Sequence, residues 1–372
     1  MSGGVDSSVT AKLLAEKDYD LSAIFMRNWD TRDESGTDKG CEWEKDWEDV
    51  QLVCKMLDIP CAMTDLSRQY WNSVFEPSLA DWKSGFTPNP DVWCNKEIKF
   101  GALLRRVHQT ADPDNLPWLA TGHWAAKGRH IASDGSLLPT LRRPRDLSKD
   151  QTYYLSSISA DSIQRALFPL ADFTKVEIRE LAEKWGLPTA KREESMGLCF
   201  VGEKRRFNDF LAQYLQPQPG SIVEHPSKRV LGTHQGLWNY TIGQGAKIAG
   251  LKDRVFVASK DVSTNTVNVV YGTENPALYA KSVWTDDFSW IWAGQPPEAL
   301  KHGMKVRVKT RHVMQDVGCT AYLDEDCPGG LRIIFDEPQK AQAPGQIAVL
   351  YDGTWCLGCG RIRDAEPLVP LI

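Results

Sequence analysis

From residue 7 to about 120, short apolar runs alternate with amphipathic stretches, and this alternation constrains the fold more than any other feature. The runs LSAIFMR (21–27), CAMTDL (61–66) and LPWLATGH (116–123) read as buried strands. Between them, residues 7–17, 42–58, 68–83 and 96–109 read as helices; in the second, Trp43, Trp47, Val50, Val53 or Cys54, and Leu57 fall at helical spacing. Strand and helix in alternation predict an α/β unit with a doubly wound parallel sheet, which binds ligands at the carboxyl ends of its strands.

The texture changes further along. From 160 to 215 the pattern is helical, notably TKVEIRELAEKWG, with Thr174 placed to cap and Gly186 to terminate. YLQPQPGSI (214–222) reads as a linker. After about 280, short alternating runs (KVRVKT, CTAYLD, LRIIFD, IAVLYD) are broken by Gly and Pro, which predicts a small closed β-barrel. Three units are therefore expected: an α/β domain over 1–200, a central connector over 201–278 and a β-barrel over 279–372.

Charge bears on partners. The formal net charge is −5, but residues 30–49 hold nine Asp or Glu against three Lys or Arg, which leaves the rest of the chain slightly basic. Basic residues gather at 142–149, 203–207 and 301–312; such clusters are ordinarily solvated faces, yet three of them allow a basic groove. Nine scattered cysteines argue against disulfide stapling, and the only C-x-x-C, Cys356 to Cys359, lacks a second pair at zinc-ribbon spacing. No metal ligand set is assigned. No run of about 18 apolar residues occurs, so no membrane span is expected.

Three motifs carry chemistry. In SGGVDSS (2–8), two glycines allow backbone N–H groups to approach an anion, hydroxyls add donors, and a helix follows with its positive end toward the loop. It is not a Walker A loop, because no G-K-[ST] follows. In TPNPDVWCNKEIKF (87–100), two prolines stiffen the chain ahead of Asp91 and Cys94, and Cys94 is expected at or just before a helix N-terminus, where the dipole favours a thiolate. A small buried hydrophobe is the alternative role for that cysteine. In KREESMGLCFVG (191–202), Cys199 follows a glycine in a polar stretch, with Lys191 and Arg192 near enough to lower its pKa. One such cysteine suggests a nucleophile; two suggest a relay.

The SGGVDSS string resembles the pyrophosphate loop of the N-type ATP pyrophosphatases. Taken with FMRNW, TPNPDVWCNKEIKF, LATGHWA, KDQTYYL, SMGLCFVGEKRRFNDFL, YTIGQ and PGQIAVLYDGTWCLG, the chain resembles the tRNA-specific 2-thiouridylases, particularly their mitochondrial form, from Ser2 to about Arg361. That resemblance implies ATP-dependent thiolation of the wobble uridine of tRNA, with Mg²⁺, sulfur from a cysteine-desulfurase relay, and a mitochondrial location. It implies that Ser2, Gly3, Gly4, Val5, Asp6 and Ser7 hold the pyrophosphate, and that Met26 and Gly122 contact the nucleotide. Asn89, Pro90 and Asp91 would meet the target base, with Asp91 as general acid and base. Cys199 would carry the persulfide, and Cys94 would release the sulfur by forming a disulfide with it. Lys149, Asp150, Gln151, Arg311 and His312 would contact tRNA.

The chain departs from that family in three places. Gly245 stands where an arginine usually follows YTIGQ, and Cys359 stands where a glycine is usual. The strand that normally precedes the loop is not in the sequence, so the expectation is that the protein begins upstream, with that strand and a mitochondrial presequence. Two other functions compete. A pyrophosphatase ligase acting on a small molecule needs neither cysteine nor a basic groove. A tRNA-binding protein without catalysis becomes the reading if the missing strand disables ATP binding.

Overall fold

The computed structural model describes residues 1–29, 42–109, 111–131, 135–194, 207–292 and 296–370. Helix α1 (Val5–Ala15) leads into strand β1 (Ala23–Arg27), α2 (Glu42–Leu57) and β2 (Cys61–Asp65), the last parallel to β1 with Ala23 opposite Cys61. This is the expected alternation. Val50 and Cys54 of α2 bury against Ala23 and Phe25 of β1, which is why the apolar spacing of 42–58 matches one helix face. Met1 nitrogen donates to the Ile24 carbonyl. Ala23 N–H points to Pro60 across β2, so Ile24, one residue on, faces the opposite edge of β1.

Two long helices follow, α3 over 67–83 and α4 over 90–109, each with a wide π-type turn inside it. Strand β3 is only Leu119–Ala120, shorter than the run 116–123 suggests, and pairs in parallel with β6 (Ala166–Leu167). Between them, β4 (Ala126–Ile131) and β5 (Leu137–Arg142) form an antiparallel hairpin. Helix α5 (Lys175–Lys184) has a complete capping box from Thr174 and Glu177, and Gly186 ends it at φ +62°. The rest of 160–215 is less helical than its pattern suggests: among the described residues, helices there cover Ala160–Gln164, α5 and Phe207–Leu211.

The central unit is a five-stranded sheet. Its members are β7 (Gly220–Glu224), β8 (Val230–His234), β9 (Gly245–Ala246), β10 (Val255–Asp261) and β11 (Thr266–Tyr271), in the order β8-β7-β11-β10-β9. The proline-rich linker thus ends earlier than expected, at β7.

The C-terminal unit comprises β12 (Tyr279–Thr285), β13 (Ser289–Trp290), β14 (Met304–Lys309), β15 (Val317–Leu323), β16 (Leu331–Lys340), β17 (Ile347–Asp352) and β18 (Trp355–Pro367). The sequence β12-β16-β15-β14-β17-β18 closes by pairing β18 to β12, a six-stranded barrel. The α/β unit contributes to it: β5 pairs with β18 through Arg142–Trp355 and Leu141–Cys356. One buried cluster accordingly mixes both units, with Val92, Tyr153 and Leu155 against Ile347, Val349 and Cys356.

Candidate functional site

Gly3 takes φ +75°, and a Cβ there would lie 2.7 Å from the Asp46 carbonyl oxygen and 2.9 Å from an Arg192 nitrogen. Gly4 caps α1 without a side-chain bond. The first N–H groups of α1 have no intrahelical partner by helix geometry, and they carry the positive end of the dipole. Gly122 closes one wall of this cradle: its Cβ would meet Ser7 nitrogen at 2.8 Å and Asp6 carbonyl carbon at 3.0 Å. A glycine-lined approach to free N–H groups fits a polyphosphate.

The side chains of the loop brace it. Ser7 hydroxyl donates to Gly4 oxygen at 3.0 Å and accepts from Ser2 N–H at 3.2 Å, while Ser8 hydroxyl donates to Gly4 oxygen at 2.9 Å. Asp6 accepts from Lys175 Nζ at 2.7 Å and from Trp124 Nε1 at 3.1 Å. Arg192 binds Gly3 oxygen at 3.0 Å and pairs with Asp46 and Asp49 on α2. Val5 is buried, and half-buried Met26 packs against the aromatic core of α3. Met26 thus fills an ordinary packing role on its strand.

Asp91 and Cys94 lie three residues apart on α4 and so share a face. The helix begins at Pro90, which puts Cys94 in its second turn, not at the N-terminus expected for it. Cys94 is buried, with Asn28 Nδ2 3.9 Å from its sulfur. Burial raises the Asp91 carboxyl, opposed by the Lys99 ammonium. Asn89, Pro90 and Asp91 line a cavity of about 190 Å³ together with Thr87, Tyr154, Trp238 and Thr241. Half-buried His123 has Nδ1 2.9 Å from Thr121 Oγ1 and Nε2 3.5 Å from Lys99 Nζ. Burial holds its pKa well below the ordinary value, so the ring is neutral; Nδ1 then carries the proton and Nε2 accepts from Lys99.

The residues expected at tRNA divide. Lys149 is on the surface, paired to Glu194 at 2.8 Å. Arg311 donates to Lys340 oxygen at 3.3 Å, and His312 stacks on Tyr154. Gln151 side-chain oxygen accepts from Trp124 N–H at 2.9 Å. Asp150 faces inward, its carboxylate 3.7 Å from Arg143 and 3.6 Å from Lys309 and bonded to Thr152. Its side chain therefore does not reach the surface. Arg143 and Lys309 are likewise spent inside, so the basic clusters at 142–149 and 301–312 expose less charge than their composition suggests. Cys199, with Lys204, Arg205 and Arg206, lies outside the described residues.

Several site residues went unassigned in the sequence. KDQTYYL contains Tyr154 and YTIGQ contains Thr241, but neither pattern says which residue turns to the cavity. Gly245 is exposed on β9 with room for a side chain, and burial pushes the Cys359 thiol up to about 11.

An anion cradle on an α/β unit, an acid–thiol pair beside a cavity, and two β-units packed around them define a three-domain protein of HUP type. A family model described as the tRNA methyl transferase HUP domain matches residues 1–203; its PRC-barrel domain matches 208–271, and an aminomethyltransferase beta-barrel domain matches 281–362. A tRNA-specific 2-thiouridylase MnmA from Chromohalobacter salexigens is 44% identical over 370 residues, covering 98% of this chain and 91% of the relative. Proteins of the same name from Acinetobacter baylyi (41%, covering 100% of this chain and 97% of the relative) and Vibrio vulnificus (41%, 98% and 95%) are also similar. The chain belongs to the tRNA-specific 2-thiouridylase family.

Proposed function

We propose that this chain replaces the 2-oxygen of the wobble uridine of tRNA by sulfur, using ATP. The observation that carries the reading is Asp91 at a cavity that Asn89, Tyr154 and Trp238 also line, with buried Cys94 one helical turn further along the same helix, in a chain similar over its full length to thiouridylases.

The backbone of Ser2 to Ser7, with Gly122 behind it, would hold the triphosphate; ATP supplies the group that turns the 2-oxygen into a leaving group. Mg²⁺ would sit with the phosphates, whose oxygens are the hard ligands it prefers. Asp91, its carboxyl raised by burial, moves the proton at the base. Sulfur arrives from a persulfide-carrying protein as Cys199–S–SH, and the terminal sulfur attacks carbon 2. The oxygen leaves with AMP. Cys94 thiolate then attacks the Cys199 sulfur, which frees the thiocarbonyl and leaves a Cys94–Cys199 disulfide for an external dithiol to reduce. The target base must leave its stack to enter the cavity. By motif resemblance, the compartment is mitochondrial.

The test against a small-molecule ligase is the dependence of AMP release on RNA. With ATP, Mg²⁺ and a sulfur donor present, AMP formation is expected only when unmodified tRNA is added. AMP released equally without tRNA contradicts the reading, and tRNA binding with no AMP supports a non-catalytic binder.

A further inference from the structure

Thr87, at the head of the loop that carries Asn89, Pro90 and Asp91, is gripped from two other units. Its N–H donates to Pro344 oxygen at 2.8 Å, and its carbonyl accepts from Gln346 Nε2 at 2.8 Å; both partners belong to the C-terminal barrel. Gly345 sits at φ +94°, and a Cβ there would lie 2.7 Å from Thr87 nitrogen, so the approach depends on glycine. From the central unit, Lys260 of β10 reaches across with Nζ 3.4 Å from Thr87 Oγ1 and 3.0 Å from the Tyr240 carbonyl.

Lys260 is an unusual choice for that seam. It is largely buried, burial pushes its ammonium down to about 8, and among the described residues no carboxylate pairs with it. A buried ammonium without a counter-ion costs stability that a Met of similar length would not. Packing therefore does not account for it. Its two contacts do: one is the backbone next to Thr241, a wall of the cavity, and the other is the residue from which the proline-stiffened stretch 88–90 runs to Asp91. Proline fixes φ, so a displacement at residue 87 is passed on to residue 91 with little absorbed between.

We propose that Lys260 is a positioning residue for the thiolation reaction, acting through Thr87 to set the Asp91 loop against the opposite cavity wall. The proposal rests on the functional reading above. Lys260 does not itself line the cavity; it fixes where Asp91 stands, and misplacement of a catalytic group by about an ångström costs on the order of a hundredfold in rate.

The experiment uses the full chain with tRNA, ATP, Mg²⁺ and a sulfur donor, and compares Lys260→Met, Thr87→Val and the double variant. Single-turnover thiolation, the Kd for tRNA and the thermal midpoint are measured for each. Lys260→Met is expected to melt no lower than wild type and to bind tRNA within about twofold, yet to thiolate at least tenfold more slowly. Thr87→Val, which removes only the hydroxyl, is expected to slow thiolation as well, and the double variant to be no slower than Lys260→Met. Thiolation by both single variants within twofold of wild type overturns the proposal, as does a loss confined to tRNA affinity, or strictly additive losses. If Lys260→Met fails to fold, a stable Thr87→Val with wild-type rate overturns it alone. A wild-type chain that forms no 2-thiouridine contradicts the functional reading itself, a result no variant outcome resembles.

Discussion

The His312 ring lies on the Tyr154 ring, centroids 4.2 Å apart and planes inclined by 32°. His312 follows β14 of the C-terminal barrel, and Tyr154 lines the cavity beside Asn89 and Asp91. A residue placed at tRNA by motif thus meets, through one aromatic contact, the wall of the pocket proposed for the base.

Tyr154 should therefore matter for its ring and not for its hydroxyl. Burial and the nearby Asp91 charge raise its phenol to about 12, so it stays protonated at neutral pH. Tyr154→Phe is expected to keep kcat/KM for tRNA within about twofold. Tyr154→Ala should lower it tenfold or more, the scale of a lost base–aromatic stack of about 1–3 kcal/mol. Steady-state thiolation against tRNA concentration checks this.

Asp150 tests the inward placement of its side chain. Removing the carboxylate leaves Arg143 with Asp316 at 3.2 Å but takes away the carboxylate paired with buried Lys309, and a broken buried pair costs about 3–5 kcal/mol. Asp150→Ala should lose that much by urea denaturation while its folded fraction keeps its affinity for tRNA. A stable variant with weakened tRNA binding would put the carboxylate on the RNA instead.

Gly122 should tolerate nothing larger. A Cβ at 2.8 Å from Ser7 nitrogen presses on backbone at the start of α1, which cannot rotate away. Gly122→Ala is expected to cost about 1–3 kcal/mol of stability and to raise KM for ATP at least tenfold, with tRNA affinity unchanged. Nucleotide titration of the purified variant is the measurement.

Glu194 supplies a pH dependence. Hydrogen bonds from Lys149 first, then Lys175, hold its carboxyl down at about 2 against an ordinary 4.5, so its contribution is complete above 4.5 and is lost as pH falls toward 2. The group is partly exposed and solvent screens it, so the contribution is below about 1 kcal/mol. Glu194→Gln should lower the thermal midpoint slightly near neutrality, where the contribution is complete, and the difference from wild type should shrink as pH falls from 4.5 toward 2.

Much of this was legible because the signals were local. The apolar spacing of 42–58, the Thr174 cap and the alternation in KVRVKT and LRIIFD each report what one element buries, and α2, α5, β14 and β16 form accordingly. The hairpin β4–β5 was not legible: AKGRHI and LLPTLR do not alternate cleanly, and their place against β18 is decided by residues more than two hundred positions away. Cys94 was misplaced by one turn because Pro90, a good first helical residue, starts the helix earlier. Asp150 shows the limit of motif transfer, since KDQ names the position but only tertiary packing says which way its carboxylate points. The grip on Thr87 joins three distant stretches, none of which marks the others.

The measurement that most directly tests the central claim is nucleoside mass spectrometry of tRNA incubated with the chain, ATP, Mg²⁺ and a sulfur donor. The account predicts 2-thiouridine at the wobble position with wild type, none with Cys199→Ala, and at least a hundredfold less with Cys94→Ala or Asp91→Asn. Undiminished 2-thiouridine from Cys199→Ala, or its absence with wild type, would contradict it.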